Sequence, residues 1–279
     1  MLCYKYMSYE RFVQSVRSTG VYLKVSRPCE FNDPYDCTGL VSGAMSQQLK
    51  DTYNQYFKQM LSPKELDFTT KVNGRRLFDN MYRILSLSDF AVNGTSEEML
   101  MWSHYADFAR GVRIGIEIDT SRYKLGVVEY KELQPQLDLS KVSEWKIFDD
   151  PELRRFLKEC LLTKHKSWEY EQERRVVFRV SDSSLKPFSL VDADGPRYNA
   201  MMVWKPNKDV IKEVCLGAAF LGEHQHYRKV DSHLRQLLDE GYNFTVCHAV
   251  KRRQYGYDTL PHNLDRNNIL RGCPKVKGS

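Results

Sequence analysis

Hydrophobic positions along the chain follow two spacings, one typical of short strands and one typical of helices. In the run that begins at Val112, Val-Arg-Ile-Gly-Ile-Glu-Ile, apolar and other residues alternate, which predicts a strand. Residues 171–180 predict another, and its centre, Val176-Val177-Phe178, is apolar on both faces, which indicates an interior place in a sheet. The remaining predicted strands cover residues 2–6, 21–25, 125–131, 210–216 and 244–250.

Capping signals predict where the helices begin and end. The run Asp149-Asp150-Pro151-Glu152 puts proline at the first helical position and acids at the positive end of the helix dipole, so a helix should continue to about Trp168. Thr95 or Ser96 before two glutamates predicts a helix to about Phe108. The other predicted helices cover residues 9–18, with Gly20 just past the end, and 222–239.

Short strands interleaved with helices predict an α+β fold with a mixed or antiparallel central sheet and flanking helices. Apolar residues at helical spacing on both sides of Ser62-Pro63 predict a helical insertion at about 44–85. We therefore expect one α+β domain over residues 1–260 that carries this insertion, followed by a basic C-terminal tail over residues 261–279.

Composition indicates which broad classes of protein this chain can belong to. Of the 279 residues, 42% are hydrophobic, which is enough for a core and excludes overall disorder. Apolar runs such as 218–221 are far shorter than the roughly 20 residues of a membrane span, and no apolar segment opens the chain, so we expect a cytoplasmic protein with no membrane partner. Seven scattered cysteines without a Cys-x-x-Cys pair predict neither a disulfide framework nor a structural metal.

The formal net charge is +6, and the excess is concentrated near the C-terminus. From Cys247 onward there are seven basic and two acidic residues. Such a segment can attract nucleic acid through phosphate contacts, but solvated basic ends are common, so this signal is weak.

The segment around residues 168–176 carries the most informative charges. If the strand begins by Glu171, then Glu171, Glu173 and Arg175 share one face, because side chains alternate along a strand. Two carboxylates beside a guanidinium at a strand end can tune a carboxylate pKa or stabilise a developing cation. The plainer alternative is a structural Glu–Arg ion pair.

Two other segments combine polar and aromatic residues. On the predicted helix, His104 is a candidate acid or base, and Trp102 with Tyr105 can form an aromatic shelf for a planar ligand, unless they pack in the core. Neighbours such as His104 and Tyr105 do not face the same way on a helix. The loop Phe31-Asn32-Asp33-Pro34-Tyr35-Asp36 is either a ligand-contacting loop or a turn locked by side-chain hydrogen bonds.

Some common signatures are absent from the sequence, which lacks P-loop, G-x-G-x-x-G, H-E-x-x-H and G-x-S-x-G motifs. His224, His226 and His233 lack the spacing of a helical metal site.

Taken together, ordered motifs over roughly residues 2–260 resemble an uncharacterised bacterial family, the domain of unknown function numbered 2971. The motifs are Tyr4-Lys5-Tyr6, Phe31 to Asp36, Ser86-Leu87-Ser88, Leu100 to Ala106 with Gly111, Ile114-Gly115-Ile116, Val128-x-Tyr130, Lys164 with Trp168, Glu171, Glu173 and Arg175, and Val214-Cys215-Leu216-Gly217.

The chain also looks similar, at the level of fold, to ADP-ribosyltransferases. In those enzymes a first strand with a ligand-gripping residue is followed by a helix, a glycine and a second strand, and the catalytic glutamate opens a later strand. Here the first strand offers Tyr4, Lys5 and Tyr6 where those enzymes commonly carry His or Arg, and Ser86-Leu87-Ser88 would stand in for their Ser-Thr-Ser element.

This resemblance implies an enzyme that cleaves the nicotinamide–ribose bond of NAD and modifies a nucleic acid or protein, in bacterial defence or a toxin system. Glu173 would stabilise the oxocarbenium-like state electrostatically, with Glu171 and His104 as further catalytic candidates. The implied ligand contacts are stacking by Tyr6 and Tyr105 or Trp102, and pyrophosphate binding by Lys5 or Arg175. The loop at Asn32 and Asp33 would bound the pocket, and Tyr4 and Ser88 are further ligand-binding candidates.

Two alternatives stay open. Asp33, Asp36, Glu171 and Glu173 are hard oxygen ligands that would suit a magnesium-dependent nuclease or phosphoesterase. A non-catalytic module that senses a nucleotide would use the same aromatic and acidic residues without turnover.

Overall fold

The computed structural model of the protein describes residues 1–42, 51, 81–89, 96–142, 150–188, 191–192, 195–196, 201–220, 224–251 and 257–261. Most of the predicted helical insertion and nearly all of the predicted basic tail lie outside the described residues.

Side-chain caps fix the starts of two helices. Ser8 Oγ accepts a hydrogen bond from the amide of Arg11, and Asp150 accepts from the amides of Glu152 and Leu153, with Pro151 as first helical residue. The helices are α1 (Tyr9–Ser15), α2 (Ser96–Tyr105), α3 (Pro151–Leu162) and α4 (His224–Asp239). Short 3-10 helices cover Pro28–Glu30, Leu139–Lys141, Lys166–Glu171 and Lys208–Val210.

The strands are mostly short. They are β1 (Leu2–Met7), β2 (Val16–Arg17), β3 (Gly20–Val21), β4 (Leu23–Lys24), β5 (Leu40–Ser42), β6 (Tyr82–Ser88), β7 (Val112–Glu117), β8 (Leu125–Val127), β9 (Glu129–Lys131), β10 (Gln136–Asp138), β11 (Thr163–His165), β12 (Glu173–Arg179), β13 (Leu185–Phe188), β14 (Val191–Asp192), β15 (Gly195–Pro196), β16 (Met201–Trp204), β17 (Ile211–Leu216), β18 (Thr245–Lys251) and β19 (Tyr257–Pro261).

An eight-stranded sheet in the order β19-β18-β17-β7-β1-β6-β12-β8 organises the domain. Neighbouring strands are antiparallel except β17 and β18, which are parallel. The predicted α+β class with a mixed central sheet and flanking helices is therefore confirmed. No described helix is both long and apolar enough to cross a membrane.

Three predicted boundaries are wrong. The predicted insertion ends inside β6, where Ile84 and Leu85 lie in a strand, because β6 is flanked by β1 and β12 and its apolar residues fill both faces instead of alternating. Helix α3 stops at Leu162, and the next three residues pair with β9. Helix α1 stops before Val16, which pairs with Val21, so Gly20 belongs to a hairpin strand and not to a helix cap.

The two faces of the large sheet carry different residues. One face holds the main apolar core, with Cys3, Leu85, Ile114 and Val176 among its buried side chains. On the other face Tyr4 stands opposite Ser88, and Ser88 stands opposite Glu173. Directly opposed residues of paired strands point to the same side, so this second face brings the three motif-bearing strands together.

Candidate functional site

A buried cluster of charges lies on this second face of the sheet, at the β6 and β12 side. At its centre is Lys164, whose side chain is 7% exposed. Its Nζ lies 2.5 Å from Glu171 Oε2, 3.6 Å from Glu173 Oε2 and 3.7 Å from Asp36 Oδ2. Three carboxylates from separate segments thus surround one ammonium.

Arg175 is the second cation of the cluster, and its side chain is fully buried. Nε and Nη2 donate to the two carboxylate oxygens of Glu173 at 2.8 and 2.9 Å, and Nη2 also donates to Asp36 Oδ2 at 2.7 Å. Nη1 donates to the carbonyl oxygen of Leu161 at 2.8 Å. The bidentate pair between Arg175 and Glu173 fixes the orientation of the Glu173 carboxylate.

The two glutamates differ in their tendency to ionise. Burial would raise the pKa of Glu173, but the charges of Arg175 and Lys164 outweigh burial and lower it to about 2. Burial raises the pKa of Glu171, with a smaller contribution from the negative charge of Glu173. One carboxylate is held ionised while its neighbour retains a proton more readily, which is a division suited to electrostatic and acid–base roles.

Helix α2 closes the cluster from one side. The Tyr105 hydroxyl donates to Glu171 Oε1, and burial beside that carboxylate raises the pKa of Tyr105. His104 Nδ1 lies 3.0 Å from the Tyr170 hydroxyl. The two neighbours on the helix therefore contact two neighbours of the Lys166–Glu171 segment, and only Tyr105 reaches the carboxylates.

Two strands complete the surroundings of the glutamates. Ser88 Oγ donates to the carbonyl oxygen of Glu171 at 2.9 Å, so it helps to position the main chain at Glu171. The Tyr130 hydroxyl accepts from the amide of Glu173 at 2.7 Å. The start of β12 is thus held by hydrogen bonds from both sides.

A cleft of about 600 Å³ opens beside Tyr105. Its lining combines aromatic rings with charges of both signs. The residues are Ser8, Tyr9, Glu10, Arg11, His104, Tyr105, Asp107, Arg110, Ala219 and Phe220. Because Tyr105 lines the cleft and bonds Glu171, its phenol ring separates the carboxylate from the open space.

Backbone strain accumulates at the edge of this cleft. Asp107, Phe108 and Ala109 have φ values of 48°, 54° and 63°, three consecutive residues in the left-handed region. A Cβ on Gly217 would lie 2.1 Å from the carbonyl oxygen of Ala109. Only glycine therefore allows the chain just after β17 to pack this closely against the turn at residues 107–109. Strained backbone of this kind is concentrated at binding and catalytic sites.

A second cleft, of about 420 Å³, opens at Lys164 on the other side of the cluster. Tyr35 and Leu133 project into solvent there, 63% and 74% exposed. The cluster therefore borders solvent-accessible space at Tyr105 and at Lys164.

Several predicted ligand contacts lie elsewhere. Trp102 is fully buried, packs edge-on to Tyr6 at 5.2 Å between ring centroids, and donates Nε1 to Glu98 at 2.7 Å. The Tyr4 ring is buried 4.7 Å from the guanidinium carbon of Arg113. Core packing therefore fits these three aromatic residues better than the ligand-binding roles that the resemblance implies for them.

The structure also bears on the ligand-binding roles predicted for Lys5, Arg175 and the loop at Asn32 and Asp33. Lys5 points to the opposite face of β1 from Tyr4 and Tyr6, because side chains alternate, and its Nζ donates to the Ser86 carbonyl oxygen at 2.9 Å. Arg175 is fully engaged inside the cluster, so it is not placed to bind pyrophosphate. Asp33 accepts from the Tyr35 amide at 2.9 Å, as expected for a locked turn, while Asn32 is exposed.

The sequence did not point to Lys164 or Tyr130 as site residues, and it offered Asp36 only as a ligand of the alternative magnesium site. Asp36 belongs to the loop Phe31 to Asp36, but nothing in the loop alone shows that it reaches Arg175 of β12, more than a hundred residues away. A weak signal did exist for Lys164, because it stands with Trp168 among the motifs of the family resemblance, and its Nζ lies 4.7 Å from the centroid of that indole ring.

The four carboxylates considered as magnesium ligands are not arranged as a metal-binding site. Asp36, Glu171 and Glu173 converge on the Lys164 ammonium, and Asp33 caps its own turn. In the part of the chain that the structure describes, no group of three or more His, Cys, Asp or Glu side chains is arranged to hold a metal ion.

Comparison with known proteins gives one match. Residues 101–176 match the model of a family described as "Protein of unknown function (DUF2971)". This range is narrower than the predicted resemblance over residues 2–260, yet it includes Tyr105, Lys164, Glu171, Glu173 and Arg175. No curated protein and no solved structure matches the chain, so the likeness to ADP-ribosyltransferases gains no support from the comparisons.

Proposed function

We propose that the protein is an ADP-ribosyltransferase-like enzyme that cleaves the nicotinamide–ribose bond of NAD and transfers ADP-ribose to a macromolecule. One observation carries the proposal: β1, β6 and β12, which bear the three motifs of the resemblance, are hydrogen-bonded neighbours, and Tyr4, Ser88 and Glu173 share one row across them. Motifs separated by more than 80 residues thus meet on one face of the sheet.

The cluster supplies the electrostatics that this reaction needs. As the bond to nicotinamide breaks, positive charge develops on the ribose, and an ionised carboxylate nearby lowers the barrier. The pKa of Glu173 is lowered to about 2, so Glu173 is ionised at neutral pH. Arg175 and Lys164 hold this charge in place without solvent.

Glu171 is the carboxylate nearer to the cleft. Its Oε1 accepts from the Tyr105 hydroxyl, and Tyr105 lines the 600 Å³ cleft. We infer that a ribose hydroxyl of the bound dinucleotide replaces the Tyr105 hydroxyl as the partner of Glu171. The higher proton affinity of Glu171 then suits it to take the proton that the acceptor loses when its bond to ribose forms.

The cleft also has groups for the rest of a dinucleotide. Arg11 and Arg110 can pair with the pyrophosphate, although Arg110 must first leave Asp107, 3.2 Å away. Tyr9 and His104 offer rings for the nicotinamide or adenine. These residues replace Lys5, Tyr6 and Trp102 in the ligand-binding roles that the sequence predicted.

The test is incubation of the protein with labelled NAD and total cell lysate, with nicotinamide release and transferred label measured separately. We expect Glu173→Gln and Glu171→Gln to lose roughly 100-fold or more of the rate. Glu169→Gln changes an exposed glutamate of the same segment and should retain it.

Thermal melting of each variant separates lost chemistry from lost folding, and Glu171→Gln is the variant to use if Glu173→Gln melts early. A wild-type protein that consumes no NAD, or folded variants with unchanged rates, would contradict the proposal.

A nucleotide-binding module without turnover is the second candidate. It is favoured by the burial of both glutamates, 4% and 5% exposed, and by the complete pairing of Glu173 with Arg175. A ligand that stabilises the protein against thermal unfolding, without release of nicotinamide, would select this function.

A further inference from the structure

A groove beside α3 carries positive charge, and it is separate from the cleft at Tyr105. With a volume of about 1090 Å³, it lies between α3 and the edge of the sheet formed by β8 and β12.

The charges of the groove are of one sign. Lys124, Arg154, Lys158 and Arg179 are all exposed, and none of the described lining residues is acidic. Lys124, Lys158 and Arg179 form no salt bridge with any other residue that the structure describes. The clefts at Tyr105 and Lys164, by contrast, include acidic residues.

The cations stand on both walls. Arg154 and Lys158 lie one turn apart on α3, so about 6 Å separates them along the helix axis. Arg179 ends β12 and Lys124 precedes β8 on the opposite wall. Such an arrangement can contact successive phosphates of one chain from two sides.

The floor of the groove is apolar. Leu157 and Leu161 are buried beneath it, and Leu162 and Val177 are half-buried. Tyr82 adds a half-buried aromatic ring at one end. A basic groove with an apolar and aromatic floor suits a strand whose phosphates contact the walls and whose sugars and bases contact the floor.

We propose that this groove binds the phosphodiester backbone of single-stranded nucleic acid. The concave shape disfavours an anionic membrane, which would need a projecting basic surface. The formal charge of +6 adds long-range attraction for a polyanion. The proposal does not depend on NAD chemistry, although Arg175 lines both the groove and the carboxylate cluster.

The experiment is fluorescence anisotropy of a labelled RNA or DNA strand of about 16 nucleotides with the full chain, without NAD, over salt from about 50 to 200 mM. Loss of two phosphate contacts in Arg154→Gln/Lys158→Gln should reduce the slope of log affinity against log salt by about 1.4. Lys124→Gln/Arg179→Gln tests the other wall and should give a similar loss.

The matched control is Arg155→Gln/Lys166→Gln, which removes two exposed charges outside the groove. Arg155 is on the same helix, paired with Glu152 and Glu159 at 2.9 and 2.8 Å. The proposal is overturned if the groove variants have the melting temperature of the wild type and the same slope of log affinity against log salt as the Arg155→Gln/Lys166→Gln control.

Two further arms identify the partner. If Lys275→Gln/Lys277→Gln abolishes binding and the groove variants do not, the basic tail is the binding segment and the proposal fails. If the groove variants lose affinity for polyglutamate or anionic vesicles but keep their affinity for the strand, the partner is a different anion and the proposal also fails.

Discussion

Lys164 donates from its buried ammonium to Glu171 across 2.5 Å, and this bond joins β11 to the segment that leads into β12. Glu173 and Asp36 approach the same ammonium within 3.7 Å. Two cations, Lys164 and Arg175, therefore pair with three carboxylates from a loop, a 3-10 helix and a strand. Each cation stabilises more than one carboxylate, so the loss of either cation should weaken several ion pairs of the cluster at once.

Replacement of Lys164 by Met should destabilise the fold by about 3–5 kcal/mol, because carboxylates would stay buried without their cation. Urea unfolding followed by circular dichroism measures the change. Lys166→Met, two residues away and exposed, serves as the control and should shift the free energy of unfolding by less than about 0.5 kcal/mol. Equal stability of the two variants would show that the cluster contributes little.

Acid should weaken the fold through Glu173. Its pKa is lowered from 4.5 to about 2, so its stabilising contribution is present above 4.5 and is lost as the pH falls towards 2. Glu171 acts in the opposite sense, because its raised pKa makes its contribution decline as the pH rises.

Unfolding free energies of wild type and Glu173→Gln, measured from pH 6 downward, isolate the Glu173 contribution. The fall in stability should be steeper for wild type, and the two curves should converge below the pKa of about 2. Parallel curves would mean that Glu173 is not held ionised. Glu169→Gln should follow the wild-type curve.

The central strands were predictable because their patterns are local. The alternation from Val112 and the apolar centre of β12 each predicted a strand, and both were confirmed. Pro151 marked the start of α3 correctly, since its cap depends only on neighbouring residues. The end of α3 was missed because the next residues pair with β9, a contact with no local signal.

The charge cluster was only partly predictable. Alternation along a strand put Glu173 and Arg175 together, and the structure confirms their contact. Glu171 joins them from a 3-10 helix and not from the strand. Asp36 and Lys164 reach the same point through tertiary folding, which sequence spacing cannot show.

Replacement of Phe108 by Gly should relieve backbone strain at the cleft. Phe108 has a φ of 54° and is 71% exposed, so its ring contributes little packing. Relative to Phe108→Ala, which also removes the ring but keeps a Cβ, the glycine variant should be more stable by roughly 0.5–1 kcal/mol. Thermal melts of the two variants make the comparison, and a less stable glycine variant would indicate that the turn is not strained.

Tyr105→Phe should separate the structural role of the phenol from its position beside the cleft. Its hydroxyl donates to the buried Glu171, so its loss should cost about 1.5–3 kcal/mol of unfolding free energy, as for hydrogen bonds to charged groups. Tyr9→Phe is the control in the same cleft, because no hydrogen bond joins the Tyr9 hydroxyl to the described residues, and it should cost under about 0.5 kcal/mol.

The same variant tests the binding of NAD. If a ribose hydroxyl replaces the Tyr105 hydroxyl on Glu171, then Tyr105→Phe should keep or raise its affinity for NAD while its stability falls, since the substrate no longer competes with the phenol. Calorimetric titration with NAD checks the affinity, and a variant that loses both stability and NAD affinity would place the phenol in ligand binding itself.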